Sequence, residues 1–276
     1  MAADLHVHTT FSDSNLTPQE VIDQCLFAHV GTVAITDHDA VDGVEPSLAA
    51  AGPLGVRVVP GVEMTAYQDE LEIHVIGLFI DIEHPEFNAV IRGTREARHT
   101  RVYTMVDKLR GLDVELTADE VLDIAAGGAP GRVHVAQALL RRGHVATIGD
   151  AFQQYIGNNG PAYVPKRQLS PAQAAHAIHS AGGVAVVAHP GTGLPDGLVR
   201  QMIGDGLDGI EAYHSLHSQD MAEHYLAMAR ELGVLVSGGS DSHGGTRKES
   251  RIGAVMLDDE LVDALEARAD EIRRGR

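Results

Sequence analysis

The chain opens with Asp4-Leu5-His6-Val7-His8-Thr9-Thr10-Phe11-Ser12-Asp13. Read as an extended strand, this segment puts His6 and His8 on one face, where two imidazoles can converge on a single metal ion. The carboxylate of Asp13 follows five residues after His8. A His-x-His pair also arises by chance, so its meaning depends on what the other strands carry.

Further apolar runs read as buried parallel strands, and each leads into a metal-competent side chain. Val33-Ala34-Ile35-Thr36 runs into Asp37-His38-Asp39, and Val56 to Pro60 runs into Gly61-Val62-Glu63. Leu71-Glu72-Ile73 leads to His74, Gly183 to Ala188 leads to His189-Pro190, and Val234 to Gly239 leads to Ser240-Asp241-Ser242-His243. In α/β barrels the active site lies at the C-terminal ends of the strands, so this repetition predicts one shared centre. The candidate ligands are His6, His8, Asp13, His38, Glu63, His74, His189, Asp241 and His243.

Helix signals fill the gaps between these strands. Thr17-Pro18-Gln19-Glu20 combines an N-cap, a proline at the first helical position and a capping-box carboxylate, and predicts a helix to about Ala28. Ser170-Pro171-Ala172-Gln173 repeats the device and leads to a glycine stop at Gly182-Gly183. Met221, Tyr225, Met228, Ala229 and Leu232 have helical apolar spacing ending at Gly233, and read as ordinary core.

Between His74 and Ser170 the strand–helix alternation breaks. Residues 83–163 read as a helical insertion: a charged helix through Glu96 to Leu109, a capping box at Thr117 to Glu120, and helices near Val133–Arg142 and Ile148–Ile156. Gly127-Gly128-Ala129-Pro130-Gly131 reads as a turn within it. The predicted organisation is a barrel from residues 1–82 and 164–276 with the insertion at 83–163 as a substrate cap. Within the insertion, Arg132 and His134 follow Gly131 at a helix start, where backbone N–H groups and an arginine fork suit a phosphate; a surface arginine and a helix-facing histidine are the plainer reading. After Gly209-Ile210-Glu211-Ala212, the residues Tyr213, His214 and His217-Ser218 either line the pocket or are solvated loop residues. His29, His84, His99, His144, His176, His179 and His224 read as surface or core residues without partners.

Composition narrows the function classes. The one cysteine, Cys25, excludes an internal disulfide framework, and no apolar run reaches the roughly 20 residues of a membrane-spanning helix. With the first strand starting almost at once, no signal peptide is expected, and a cytoplasmic location follows by default. A net charge of −18 opposes a broad grip on long nucleic acid, and Lys and Arg cluster little beyond Arg141-Arg142, Lys166-Arg167 and the Arg273 to Arg276 tail. Three divalent cations on the nine candidate ligands would still leave that pocket at about +3, which suits a small phosphorylated ligand.

The ordered motifs Asp4 to His8, Ser12-Asp13, Thr36 to His38, Gly61 to Glu63, His74, Ala188 to Pro190 and Gly239 to His243 resemble those of the polymerase and histidinol phosphatase (PHP) superfamily. The resemblance spans about residues 4–243 and implies an α/β fold, a distorted (β/α)7 barrel with a helical insertion subdomain, holding a trinuclear metal centre. It implies one metal at His6, His8, Glu63 and Asp241, a second at Asp13, His38 and His243, and a third at Glu63, His74 and His189, with Glu63 as a bridge. Nitrogen and oxygen donors without thiolate suit two to three Mn²⁺, Fe²⁺ or Zn²⁺ ions. A subgroup of PHP phosphoesterases is similar in carrying Gly-Arg-x-His in a helical insertion, with the Arg and His at the substrate phosphate, and a Tyr-His-x-x-His-Ser stretch like that at Tyr213 to Ser218.

The function expected from this reading is a metal-dependent phosphoesterase that uses metal-bound hydroxide. Its expected substrates are nucleoside 3′,5′-bisphosphates or the 5′ ends of short oligonucleotides, bound through Arg132, His134, His214 and His217, with His217 also a candidate catalytic group. A small phosphorylated partner is expected, with no long nucleic-acid track and no membrane. The alternatives are a histidinol-phosphate phosphatase, a noncatalytic PHP module and an amidohydrolase.

Overall fold

Seven strands follow one another around a single sheet in chain order: β1 (Ala2–Val7), β2 (Val30–Ile35), β3 (Arg57–Gln68), β4 (Leu71–Leu78), β5 (Val184–Val187), β6 (Gly209–His214) and β7 (Leu235–Gly239). The computed structural model describes residues 2–52, 54–69, 71–125, 130–165, 169–244 and 251–275. The last strand turns back to the first, where Val7 pairs with Ser242 and the His8 amide donates to the Ser242 carbonyl at 3.0 Å. The result is a nearly closed barrel. Strands covered on both faces need apolar side chains on both, which is why β5 is Val-Ala-Val-Val and wholly buried.

One expectation fails. The segment leading to His74 is not a parallel strand ending in a ligand: β4 runs antiparallel to both β3 and β5, and His74 lies within it, opposite Thr65. Only residues 69 and 70 separate β3 from β4, too few for the dozen or more that a parallel crossover needs. Asp69 takes φ = 53°, the left-handed conformation that tight hairpin connections favour. This hairpin is the distortion of the barrel. Glu63 likewise sits inside the long strand β3 rather than after it.

Helices close the remaining connections. In α1 (Pro18–Ala28) Thr17 and Glu20 exchange the reciprocal capping bonds, and His29 ends the helix at φ = 59°. The helix α2 (Val44–Ala51) joins β2 to β3, and α7 (Pro171–Ser180) carries the Ser170/Gln173 box and stops before Gly182 at φ = 72°. The helices α8 (Asp196–Gly204), α9 (Gln219–Leu232) and α10 (Asp259–Arg274) complete this part. Two apolar clusters fill it, one around Leu5, Ile76, Val186 and Leu265 and one around Ile22, Val33, Ile35 and Val58.

The chain divides into two compact units, residues 1–90 with 169–276, and residues 91–168. The second unit holds most of α3 (Pro85–Arg110), with α4 (Ala118–Ala125), α5 (Arg132–Arg141) and α6 (Ile148–Ala151), which passes into a π-helical turn at Phe152–Ile156. Its own core gathers Val102, Met105, Leu109, Val121, Leu139 and Ile156. Of the glycine-rich turn expected there, Gly127, Gly128 and Ala129 lie outside the described residues, as do Lys166 and Arg167. No described helix is long and apolar enough to cross a membrane.

Candidate metal centre

Glu63 is the hub of the barrel's histidine cluster. Its side chain is 1 % exposed and faces five imidazoles: Oε1 lies 2.8 Å from His74 Nδ1 and 3.0 Å from His189 Nε2, while Oε2 lies 3.2 Å from His38 Nδ1 and 3.3 Å from both His6 Nε2 and His8 Nε2. The hairpin explains part of this. Glu63 and Thr65 point to the same face of β3, and His74 stands opposite Thr65, so the imidazole is diagonal to the carboxylate.

The other carboxylates complete the ring. Asp241 Oδ1 lies 3.1 Å from His8 Nε2 and 3.4 Å from His6 Nε2, and Asp13 Oδ1 lies 3.1 Å from His243 Nε2. Among the described residues, groups whose ligand atoms all lie within 4.8 Å of one another are His8, Asp13, His38 and His243; His6, His8, Glu63 and Asp241; His38, Glu63 and His74; and His6, Glu211 and His214. All nine residues expected from the sequence therefore meet at one end of the barrel.

Two of these residues hold unusual backbone. Asp241 has φ = 52° and His189 φ = 27°, conformations that cost a non-glycine residue about 1–3 kcal/mol and persist only where the surroundings fix them. The fixing contacts are the Asp241 amide to the His6 carbonyl at 2.9 Å, and the His189 amide to Glu211 Oε2 at 2.7 Å. Gly239 must be glycine, because a Cβ there would lie 2.4 Å from the His6 backbone nitrogen.

The protons show the imbalance of the cluster. Burial disfavours charge on His8, yet the Asp241 and Glu63 carboxylates outweigh it and raise the imidazole to about 9. Burial likewise opposes charge on His74, but Glu63 beside it raises this ring to about 10. His38 goes the other way, to about 4, because burial and the neighbouring His8 and His74 outweigh Glu63. Burial pushes Asp241 up, and the surrounding His6, His214 and His8 more than reverse it, holding that carboxyl well below its usual range. Such a pocket needs positive charge.

Divalent cations fit that need. His6 Nε2, both ring nitrogens of His8 and Glu63 Oε2 are buried without a hydrogen-bond partner, an arrangement that costs about 1–3 kcal/mol per group unless something else binds them. The donors are imidazole and carboxylate, which suit Mn²⁺, Fe²⁺ or Zn²⁺. The only cysteine, Cys25, is buried in α1, where burial and Asp4 push its thiol up to about 12.

Several supporting residues escaped the sequence reading. Glu211 is fully buried on β6, and its Oε1 lies 2.9 Å from His6 Nδ1 while Oε2 accepts the His189 amide, so one carboxylate orients two ring-bearing residues. Asp37 accepts from the Thr9 amide at 2.7 Å, Thr9 Oγ1 at 2.7 Å and Ser12 Oγ at 2.6 Å, which fixes the turn carrying His8 and Asp13. Asp4 accepts from the Ser240 and Gly253 amides at 2.8 and 3.0 Å and steadies the segment before Asp241. Asp4 and Asp37 stand inside motifs already quoted and Glu211 two residues before Tyr213, so a carboxylate within or next to a motif is the signal that could have given them these roles.

The remaining candidates have definite places. The Leu216 amide donates to His214 Nδ1, which leaves Nε2–H to face Asp241 Oδ2 at 3.3 Å. His217 donates from Nδ1 to the Ala212 carbonyl at 2.9 Å, and its Nε2 accepts the Gly191 amide at 3.0 Å, so both ring nitrogens are taken, one by strand β6 and one by the segment after His189. In the helical unit, Arg132 Nη1 donates to Asn158 Oδ1 at 2.7 Å, and its guanidinium lies 5.6 Å from the ring centroids of both Phe152 and Tyr163. His134 Nδ1 accepts the Gly131 amide at 3.0 Å. Contrary to expectation, several other histidines do have partners: His179 with Asp208 at 2.6 Å, His224 with Asp196 at 2.9 Å, and His144 with the Glu115 carbonyl at 3.0 Å.

Residues 4–158 match the model of the PHP domain. The chain is 32 % identical over 248 residues to the 5′-3′ exoribonuclease Rnm of Escherichia coli, covering 87 % of this chain and 84 % of that one. It is 32 % identical over 246 residues to the 3′,5′-nucleoside bisphosphate phosphatase of Chromobacterium violaceum, covering 87 % and 86 %. A phosphoribosyl 1,2-cyclic phosphate 1,2-diphosphodiesterase of Eggerthella lenta is 31 % identical over 254 residues, covering 88 % and 95 %. Among solved structures, a Bifidobacterium adolescentis protein described as a metal-dependent phosphoesterase superposes with a TM-score of 0.76 at 32 % identity, covering 96 % of each chain. The chain belongs to the PHP domain family.

Proposed function

We propose that this chain is a metal-dependent phosphoesterase acting on phosphate esters of nucleotides, either nucleoside 3′,5′-bisphosphates or the 5′ ends of short oligonucleotides. The observation that carries the reading is Glu63, a buried carboxylate ringed by five imidazoles, with four buried ligand atoms of the cluster lacking hydrogen-bond partners. Relatives named as an exoribonuclease and a nucleoside bisphosphate phosphatase support the substrate class.

Two to three ions, Mn²⁺, Fe²⁺ or Zn²⁺, would be held by His6, His8, Glu63 and Asp241, by Asp13, His38 and His243, and by Glu63, His74 and His189. Bound cations supply charge neutralisation at phosphate oxygens and lower the pKa of water. The chain's own residues do the positioning. Glu211 holds the His6 ring so that Nε2 points into the cluster, and His214 holds Asp241. Arg132, braced by Asn158 and two aromatic rings, is proposed to bind a substrate phosphate through its fork, with the His134 Nε2–H as a second donor. Burial lowers the His134 pKa, so it serves as a neutral donor.

The test is phosphate release by the metal-loaded protein from adenosine 3′,5′-bisphosphate, adenosine 5′-monophosphate, short 5′-phosphorylated RNA, histidinol phosphate and a ribose 1,2-cyclic phosphate, with metal content measured on the same sample. Release from the bisphosphate and the short RNA above the others is expected. Turnover of histidinol phosphate or the cyclic phosphate alone, or activity indifferent to a chelator, would overturn the assignment.

A further inference from the structure

His189 reaches the cluster from a turn rather than from its strand. β5 ends at Val187, and His189, at φ = 27°, opens a short 3₁₀ turn over Pro190–Thr192. A backbone of this kind persists only where its surroundings over-determine it. Glu211 fixes one end of the turn by accepting the His189 amide at 2.7 Å. His217 fixes the middle, because its Nε2 accepts the Gly191 amide at 3.0 Å.

The His217 ring is itself held in place. Nδ1 donates to the Ala212 carbonyl at 2.9 Å, and the ring centroid lies 5.4 Å from that of the buried Tyr225 on α9. A Cβ on residue 191 would lie 2.7 Å from His217 Nε2 and would also strike Met221, so the turn crosses these two side chains at a separation that only glycine allows. An imidazole that donates at Nδ1 and accepts at Nε2 is neutral and in one tautomer. It has no N–H left to offer a substrate phosphate, which is at odds with a role in binding or proton transfer.

The same turn sets the tautomer of His189. The Thr192 hydroxyl donates to the His189 carbonyl at 2.9 Å, so its oxygen lone pair faces His189 Nδ1–H at 3.3 Å. The lone pair of His189 Nε2 is then directed to the side of Glu63 Oε1, 3.0 Å away, where a cation would receive it. We propose that His217 is a positioning residue for the metal centre: by latching the Gly191 amide it aims His189 Nε2 at the ion that Glu63, His74 and His189 would share. The role rests on the phosphoesterase reading and adds to it a residue that acts through His189 and touches neither substrate nor metal.

The experiment compares the full wild-type chain with His217→Ala, His217→Gln and Gly191→Ala. It reads Mn²⁺ content and affinity, and the kinetics of phosphate release from adenosine 3′,5′-bisphosphate at fixed Mn²⁺. His217→Ala should hold Mn²⁺ about 10–100-fold more weakly at one site and lower kcat by a similar factor. KM should change by less than about threefold. His217→Gln keeps an acceptor near the position of Nε2 and should recover part of both losses. Gly191→Ala should reproduce them, because its Cβ forces the turn off the ring, and should add little in a His217→Ala background, where that ring is gone. In the metal-free wild type the Gly191 amide should be protected from hydrogen exchange, and His217→Ala should remove the protection.

A rise in KM of about tenfold or more with unchanged Mn²⁺ affinity would put His217 at the substrate and overturn the proposal. Wild-type Mn²⁺ affinity in His217→Ala would overturn it too, as would losses in the double variant that are the full sum of the two single ones. A wild-type chain that takes up no metal sinks the phosphoesterase reading and this role together. A metal-loaded, active wild type indifferent to His217→Ala sinks the role alone.

Discussion

Glu63 and Asp208 are both buried carboxylates of the barrel that meet histidine, and they differ in what remains unmet. Asp208 stands just before β6, where Oδ2 receives His179 Nε2 at 2.6 Å and the Ala185 amide at 2.9 Å, while Oδ1 receives Arg268 Nε at 3.0 Å. Each oxygen has a fixed donor, so the group ties α7 and α10 to the sheet and nothing is left over. Around Glu63 there are five imidazoles, and Glu63 Oε2, His6 Nε2 and both His8 nitrogens lack partners. A carboxylate–histidine contact is therefore poor evidence of a metal site by itself. Unsatisfied, buried ligand atoms converging from several strands are the better sign.

The sharpest test of that contrast is Glu63→Gln. It removes a charge that faces five imidazoles, and kcat/KM should fall by about 10³-fold or more, with loss of bound metal. In the wild type, added Mn²⁺ or Zn²⁺ should raise Tm through binding linkage, and in the variant this shift should shrink. Normal metal content and activity in Glu63→Gln would erase the distinction between the two carboxylates.

Glu211→Gln should have the next largest effect. Loss of the charged partner of His6 Nδ1 is expected to reduce metal affinity or kcat by about 10–100-fold while KM changes little. Glu211→Asp, which keeps the charge, should recover part of the loss. A large KM change with unaltered metal affinity would place Glu211 at substrate instead.

Arg132→Ala probes the helical unit. Loss of a charge-assisted fork should lower kcat/KM by about tenfold or more while metal content stays constant. Wild-type kinetics would leave Arg132 a structural partner of Asn158 and the rings.

Asp208→Asn should do least to activity and show itself in stability. Burial raises the Asp208 pKa, but His179, the Ala185 amide and Arg268 outweigh it and hold the carboxyl below its ordinary value. A group lowered on folding adds stability above its unfolded pKa of about 3.9, and loses it as pH falls through the folded value. The variant should be about 1–2 kcal/mol less stable at neutral pH, with a flatter acid limb in a plot of Tm against pH and unchanged metal content. Metal loss in Asp208→Asn would break the comparison from the other side.

Much of the cluster was legible where a motif combines a strand ending with a short run of ligand residues. His6-x-His8, Asp37-His38 and Ser240 to His243 carry both signals within a few residues, whereas Glu63 and His74 lie inside β3 and β4, where the expected strand ends do not fall. The capping boxes at Thr17 and Ser170 were legible for the same reason, since the bonds that make them close over three residues. The pairing of β3 with β4 could have been read from the two-residue connection, yet the apolar run alone suggested another parallel strand.

What the sequence by itself determined is therefore the barrel class, and it offered nine candidate ligands and a helical insertion as expectations, because these depend on periodicities of two and 3.6 residues and on short motifs. What only the tertiary structure decided is who meets whom across long separations. Glu211 lies 205 positions from the His6 that it orients, Asp4 lies 236 from the Ser240 amide that it holds, and His217 lies 26 from the Gly191 amide that fills its Nε2. Those partnerships depend on strand order and register around a nearly closed sheet, which no local pattern encodes.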